Sequence, residues 1–308
     1  MIDALISVVI PTYKRSEMLT RAIQSILNQS YHNTEIIVVD DNEPNDEFSL
    51  ATQAKLKEIK DARVRYIQQE KHINGSSARN VGIDTATGEY IAFLDDDDVW
   101  YPDKLEKQMK IFSASPEVGL VYTGSKAIYV NDKVSYAIVP KKEGDLKREI
   151  LLGNCIGTTS TVVVKRDIIV TAGKFDIKMP ALQDYDLWIR ICQLTQIGYV
   201  QEEEIDYYNF RNGVQVSSNT EKYETAFARL NEKYRDLLYC LNEAEKKKRQ
   251  EYELFLLANK ALRNNDKKKG RSYLKKVLRN GFNKKAIAML LISLFSYTMT
   301  LKLRKIAK

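Results

Sequence analysis

The stretch Tyr90-Ile91-Ala92-Phe93-Leu94-Asp95-Asp96-Asp97-Asp98 sets an apolar run directly against four consecutive acids. Such a run, with no polar alternation, predicts a strand covered on both faces, as in a parallel sheet. Four carboxylates at its end repel one another unless a cation offsets them, so a divalent metal is the economical explanation. Hard oxygen ligands favour Mg2+ or Mn2+, which keep waters and share the phosphate oxygens of a substrate. The alternative is an acidic loop capping a helix from Tyr101, a duty for which one Asp suffices.

Outward from this stretch the same rhythm recurs. Residues 5–10 form another apolar run, stopped by Pro11, and residues 35–39 a third, ending at Asp40-Asp41. Between them Ser16 is placed to cap a helix that carries Leu19, Ala22, Ile23, Ile26 and Leu27 at helical spacing. A helix through Leu56, a short strand over 64–67 and a helix over 78–86 lead to residue 90. The alternation predicts an open, mostly parallel α/β sheet with helices on both faces and ligands beyond the carboxyl ends of its strands.

From residue 118 shorter β-like pieces follow, over 118–122, 127–130, 134–139 and 161–164. A helix then opens near Asp184 with Leu187, Trp188, Ile191 and Leu194 on one face, and 207–219 reads as irregular. Residues 223–241, 243–264, 270–279 and 283–306 read as helices. The chain thus divides into an α/β body, 1–220, and a helical region, 221–308.

Composition bounds the chemistry. The 308 residues are 44% hydrophobic and 29% charged, which excludes disorder as a description of the whole and suits about two domains. The net charge of +7 is unevenly placed: residues 1–220 hold 25 basic and 32 acidic side chains, residues 221–308 hold 23 and 9. An acidic body is followed by a basic tail. Cys155, Cys192 and Cys240 lack the spacing of a disulfide framework or a thiolate metal site, which points to a reducing cytosol. His32 and His72 are the only histidines. Both read as ordinary loop residues, so a Ser-His-Asp triad and His-rich metal sites are unsupported. The first apolar run is too short, and lacks the basic flank, for a signal peptide, so the body is expected in the cytoplasm. Neither a P-loop nor a dinucleotide-binding glycine fingerprint occurs, so phosphates would be held by metal and side chains.

Five segments in register resemble family 2 glycosyltransferases: Ser7-Val8-Val9-Ile10-Pro11-Thr12-Tyr13, Val38-Val39-Asp40-Asp41-Asn42, Gly75 to Gly82 with Ala78-Arg79-Asn80, Ala92 to Asp98, and Gln183-Asp184-Tyr185-Asp186-Leu187-Trp188. The resemblance covers residues 5–215 and implies a GT-A fold, a nucleotide-diphospho-sugar donor and inverting transfer. It implies that Pro11, Thr12 and Tyr13 border the base, with Tyr13 stacked on it. Asp41 would accept the imide hydrogen of uracil with Asp40 in support, and Arg79 would lie near the base or diphosphate. Asp95 would approach the ribose and Asp97 bind the metal. The extra acids Asp96 and Asp98 leave this register open by one, so Asp96 is also a nucleotide-binding candidate.

Asp184 matches the family's catalytic base. An inverting transfer needs a carboxylate to take the attacking hydroxyl's proton while a metal offsets charge on the departing diphosphate. The competing reading of Asp184 is a helix N-cap. Asp186 is the second candidate base, and Trp188 would flank the acceptor sugar or fill the core. Many family members carry a histidine near the diphosphate after the body's last strand. Here Arg211 stands in that stretch, as a diphosphate partner or a surface charge.

Residues 267–308 carry ten Lys, three Arg and no acid, around an uncharged run of 16 residues, 286–301. As a helix that run measures about 24 Å, short of a bilayer core of about 30 Å. Its basic flanks suit a helix lying on an anionic leaflet, or one packed on the body or on a second copy of the chain. No nucleic-acid module accompanies the charge, so nucleic acid is not an expected partner. The expectation is a metal-dependent enzyme at the inner membrane face. It would move sugar from a UDP-sugar to a glycan, lipid-linked and destined for capsule, wall or lipopolysaccharide. A catalytically silent binding module and a nucleotidyltransferase are the rivals.

Overall fold

The computed structural model describes residues 3–210, 219–294 and 297–306. Strands β1 (Ile6–Thr12), β2 (Thr34–Asp40), β3 (Val64–Gln68) and β4 (Tyr90–Phe93) are joined by helices α1 (Ser16–Leu27), α2 (Glu47–Lys57) and α3 (Gly75–Thr85). The four strands pair in parallel in the order β3-β2-β1-β4. Alternate residues of β1 and β2 feed two different cores. Ile6, Val8, Ile10, Ile36 and Val38 pack with Leu19, Ala22, Ile23 and Ile26 of α1, whereas Val9, Ile37 and Val39 pack with Ala78 and Ile83 of α3. Neither face meets water, which is why these strands show no polar alternation. The approach of α3 to β1 requires glycine at one point: a Cβ on Gly82 would lie 2.2 Å from Cγ1 of Val9.

The chain continues through β5 (Val99–Trp100), α4 (Lys104–Ala114), β6 (Val118–Tyr129), β7 (Val134–Ile138), α5 (Glu149–Leu152), β8 (Val162–Lys165), α6 (Arg166–Thr171), α7 (Gln183–Leu194) and β9 (Gln196–Asn209). Strand β8 runs antiparallel to β4 and β6, β9 parallel to β6, and β5 antiparallel to β9. The order is β3-β2-β1-β4-β8-β6-β9-β5, with β7 on β6. The sheet is therefore parallel in its first half and mixed in its second. Two expectations change here. The pieces at 118–122 and 127–130 are one strand, and 196–209, read in part as irregular, is a 14-residue strand. Register shifts near Gly124 disturb the β6–β9 pairing, and such bulges erase the alternation by which a strand is recognised.

Helices α8 (Thr220–Lys233), α9 (Arg235–Tyr239), α10 (Glu243–Arg263), α11 (Lys267–Arg279), α12 (Lys284–Ile292) and α13 (Tyr297–Ile306) follow. Asn242 and Glu245 form a reciprocal capping box on α10, while Asp266 and Asn283 cap α11 and α12. The single helices expected over 223–241 and 283–306 are each broken, the first at Tyr234 and the second after Ile292. The helical region does not stand apart from the body. Phe227, Leu230, Leu254, Phe255, Leu257 and Ala258 belong to the same core as Val9, Phe93 and Trp188. Arg249 crosses the seam, donating to the Leu151 carbonyl at 2.6 Å and the Tyr185 hydroxyl at 3.3 Å. In the last two helices Ala286, Met289 and Leu301 are buried, while Leu291 and Met299 are exposed. No described helix is long and apolar enough to cross a membrane.

Candidate active site

Strand order reverses at β1, which has β2 on one side and β4 on the other. In an open α/β sheet the crevice beyond the carboxyl ends at such a point is where ligands bind. Strand β1 ends at Thr12, β2 ends at Asp40, and β4 leads into Asp95, so the topology brings these segments to one rim. The Thr12 hydroxyl donates to Asp96 at 2.9 Å and ties two strand ends together.

On the β2 side Asp40 is fully buried and accepts from the backbone and side-chain nitrogens of Asn42, at 2.9 and 2.7 Å, and from the Tyr66 hydroxyl at 2.9 Å. Burial outweighs these bonds and holds its carboxyl above the usual range. Asp41 Oδ1 accepts from the Ile73 amide at 3.0 Å and from the Gln69 amide group. Burial raises Asp41 as well, against the Ile73 bond and His72. His72 Nδ1 lies 3.0 Å from Asp41 Oδ2 and 3.0 Å from the Asp41 carbonyl, two acceptors that place the proton on Nδ1. The His72 ring also stacks on Tyr13, centroids 4.2 Å apart. His72 is therefore no ordinary loop histidine: it engages Tyr13 and Asp41, two of the residues that the family resemblance assigns to the base.

The four acids after β4 are sorted by what holds them. Asp98 is fully buried and accepts from the Ser160 hydroxyl at 2.7 Å and the Tyr208 amide at 3.1 Å, which pins the acidic turn to β9. Arg15 Nη1 bridges Asp96 and Asp97, at 2.9 and 2.7 Å, and Arg21 donates to the Asp97 carbonyl at 2.9 Å. Asp95 accepts from Arg79 Nη2 at 2.5 Å and the Thr159 hydroxyl at 3.3 Å, and its side chain is 26% exposed. Burial pushes Asp96 up to about 7, with Arg15 opposing and the Asp97 charge reinforcing. Burial and the Asp97 and Asp95 charges hold Asp98 well above the carboxylate range. Arg15 occupies the N-cap position of α1, so Ser16 begins the helix without capping it, contrary to expectation.

The described residues contain no group of three or more His, Cys, Asp or Glu disposed to hold a metal. The available donors are hard carboxylate oxygens, three of the four acids also accepting from protein hydroxyls. That set fits Mg2+ or Mn2+, which take one or two carboxylates and complete their shell with phosphate and water.

Asp184 enters from another direction. Helix α7 starts after Leu182, whose backbone is left-handed at φ 58°. For a residue with a Cβ this costs about 1 kcal/mol, so packing imposes the turn. Leu182 holds the N-cap position, and half-buried Asp184 accepts from the Tyr185 amide at 2.8 Å. The N-cap reading of Asp184 is thereby set aside. Burial pushes its carboxyl up to about 6, against the Tyr185 bond and Arg79, with the Asp95 charge reinforcing.

Two candidates do not reach the crevice. Asp186 is fully buried and is held by Arg190 at 2.7 Å, Lys233 at 2.7 Å and the Tyr234 hydroxyl at 2.8 Å, fastening α7 to α8 and α9. Trp188 is fully buried and donates to the Gly157 carbonyl at 3.0 Å. Both serve the core, which corrects their assignment to the acceptor side. Arg211 lies outside the described residues. Sequence context alone does not single out Arg15, Arg21 or His72, although the Lys14-Arg15 pair directly after Tyr13 is a basic signal within an acidic body.

This sheet, with its acids gathered at the strand ends, defines a GT-A glycosyltransferase. The chain matches the model of Glycosyl transferase family 2 over residues 7–168, more than half its length, and belongs to that family. It is 35% identical over 201 residues to the amylovoran biosynthesis glycosyltransferase AmsB of Erwinia amylovora, covering 62% of this chain and 65% of that one. It is 30% identical over 198 residues to the UDP-Glc:alpha-D-GlcNAc-diphosphoundecaprenol beta-1,3-glucosyltransferase WfgD of Escherichia coli, covering 64% and 74%. Among solved structures it resembles S. aureus TarS 1–349 in complex with UDP-GlcNAc, with TM-score 0.59, 15% identity and coverage of 96% and 88%. It also resembles the mannosyltransferase PcManGT of Pyrobaculum calidifontis in complex with GDP-Man and Mn2+, with TM-score 0.60, 14% identity and coverage of 98% and 87%.

Proposed function

We propose that this glycosyltransferase moves a sugar from a UDP-sugar to a hydroxyl of a lipid-linked glycan, with inversion, during synthesis of a cell-surface polysaccharide. The observation that carries this reading is the convergence of Asp41, the Asp95–Asp98 turn and Asp184 on one crevice. Pro11, Thr12 and Tyr13 line the base side, where Tyr13 stacks on uracil and Asp41 accepts its imide hydrogen, displacing His72. Asp40 braces that loop through Asn42. Asp95, with Asp96 behind it, approaches the ribose, and Arg79 lies beside the diphosphate. Asp97, with Asp95, would hold Mg2+ or Mn2+, which when bound supplies positive charge against the departing diphosphate. Asp184 takes the proton of the attacking hydroxyl as that oxygen bonds to the sugar's anomeric carbon and the bond to UDP breaks. A carboxyl near 6 is ionised at neutral pH and still basic enough for this task.

The relatives support the choice of donor and acceptor, since WfgD is named for UDP-Glc and a diphosphoundecaprenol-linked GlcNAc. Exposed Phe282, Leu291 and Leu294, set among the lysines of α11 and α12, support peripheral binding to an anionic inner leaflet. The test is a panel of UDP- and GDP-sugars with Mg2+ or Mn2+, reading binding and nucleotide release. Binding of UDP-sugars with release of UDP is expected. Inert and unbound UDP-sugars refute the donor, and diphosphate as product makes the enzyme a nucleotidyltransferase.

A further inference from the structure

Arg15 stands on the carboxylates that a divalent ion would need. Its Nη1 lies 2.7 Å from Oδ2 of Asp97 and 2.9 Å from Oδ1 of Asp96, two buried side chains. This placement is built into the rim of the crevice. Lys14 turns the chain through a left-handed backbone at φ 57°, which a residue with a Cβ adopts only at a cost. Its amide donates at 2.9 Å to the Asn42 side chain, which Asp40 holds in turn. Arg15 follows at the N-cap position of α1, its carbonyl accepting from the Met18 and Leu19 amides at 3.0 and 3.3 Å. Arg21, further along α1, takes the Asp97 carbonyl instead and lies over the Tyr208 ring, 4.3 Å from its centroid. The half-buried Arg15 is thus aimed at the two carboxylates by the loops that follow β1 and β2.

Two buried carboxylates side by side repel each other, and one guanidinium between them removes that penalty. A divalent ion on Asp97 would remove it with two charges, and two cations on one carboxylate pair repel each other in turn. The ion therefore competes with Arg15. A guanidinium released there lies at the end of β1, on the rim to which the proposed function brings the donor's diphosphate, and its planar fork suits a phosphate. We infer that Arg15 serves two partners in turn: it neutralises Asp96 and Asp97 until a divalent ion enters, and then binds the diphosphate that enters with the ion. Metal and nucleotide consequently bind as a pair, each poorly without the other. The inference deepens the UDP-sugar reading above and rests on it. It adds a residue that lies outside the five segments carrying the family resemblance.

The test compares the wild type and Arg15→Gln as full chains. Mn2+ is titrated without nucleotide, followed by the paramagnetic resonance of the free ion, and UDP or uridine is titrated with and without Mn2+ by calorimetry. The variant should take up Mn2+ alone about tenfold or more tightly than the wild type, since a repelling charge is gone. With Mn2+ present it should bind UDP about tenfold or more weakly, the scale for loss of a charged hydrogen bond. Uridine, which has no phosphate, should bind both proteins alike. Mn2+ uptake by Arg15→Gln that is no tighter than the wild type's, including no uptake by either, overturns the inference. Unchanged UDP affinity also overturns it, as does an equal loss for uridine, which assigns Arg15 to the folding of its loop. The wild type carries a reading even if the variant does not fold: UDP must bind more tightly with Mn2+ than without, and equal affinity overturns the inference. Failure of the donor reading registers separately, as a wild type that binds neither UDP nor uridine, and the Mn2+ comparison is still read in that case.

Discussion

Replacing Asp184 by Asn keeps the side-chain shape and the oxygen that accepts from the Tyr185 amide, and removes the charge. Helix α7 loses no cap, because Leu182 holds that position. The carboxyl titrates at about 6 instead of 3.8, chiefly through burial. The folded protein thus holds this proton more tightly than the unfolded chain does. Stability falls as pH rises from about 4 to about 6, and the penalty is complete above that. It amounts to at most about 3 kcal/mol, and Asn does not bear it. At pH 7.5 the variant should therefore melt at or above the wild-type temperature, while transfer drops about a hundredfold or more and UDP binding persists. In the wild type the rate should level off above about pH 6 and fall about tenfold per unit below it, following the ionised fraction of Asp184. Initial rates of UDP release across pH 5–8, calorimetric UDP binding and thermal melts check each step. Near-normal transfer by the Asn variant refutes the base assignment, and a lowered melting temperature refutes the argument from burial.

His72→Ala frees Tyr13 and Asp41 from an imidazole that competes for the base, so UDP should bind severalfold more tightly by calorimetry; weaker binding would show that His72 helps hold the nucleotide. Gly82→Ala forces a methyl to 2.2 Å from Val9 Cγ1 and should cost about 1–3 kcal/mol in urea unfolding, and wild-type stability would mean that α3 can retreat from β1. The triple change Phe282→Ser, Leu291→Ser, Leu294→Ser removes side chains that are 79%, 59% and 60% exposed, so sedimentation with anionic vesicles should fall severalfold at an unchanged melting temperature. Undiminished sedimentation rejects the membrane reading.

Much of the body is legible in its sequence because its strands are buried on both faces. Runs such as Val8-Val9-Ile10 and Ile36-Ile37-Val38-Val39 leave periodicity little to confuse. The site acids are legible for a related reason: a sheet that reverses order at β1 presents whatever follows its strands, and here that is Asp40-Asp41 and Asp95–Asp98. Which of the four acids is committed to the scaffold is not a local property. Thr12, Arg15, Ser160 and Tyr208 decide it, and they come from three separate segments. Strand β9 escapes notice because its pairing with β6 is bulged. The Asp186 assignment, by contrast, was resolvable from helix geometry. Residues i and i+2 of a helix do not share a face, so if Asp184 looks into the crevice, Asp186 looks away from it.

The tail shows where charge counting loses information. Its excess of lysine and arginine reads as one basic surface, yet the structure uses these side chains in different ways. Lys268 and Lys284 are exposed to solvent. Arg249 is buried and ties α10 to Leu151 and Tyr185 across the seam with the body. Lys260 lies over the Tyr223 ring, and Arg263 donates to Asn209 and Phe210 at the end of β9. The distinction follows from the apolar faces of α8 and α10, which pack into the same core as the sheet and so fix the direction in which each cation points. Long-range polyanion attraction accounts for the exposed residues. It does not account for Lys260, half-buried over the Tyr223 ring, or for Arg249, buried in the seam. Their directions are set by the packing of α8 and α10 on the body, so the charge of the tail is divided between solvent and the seam.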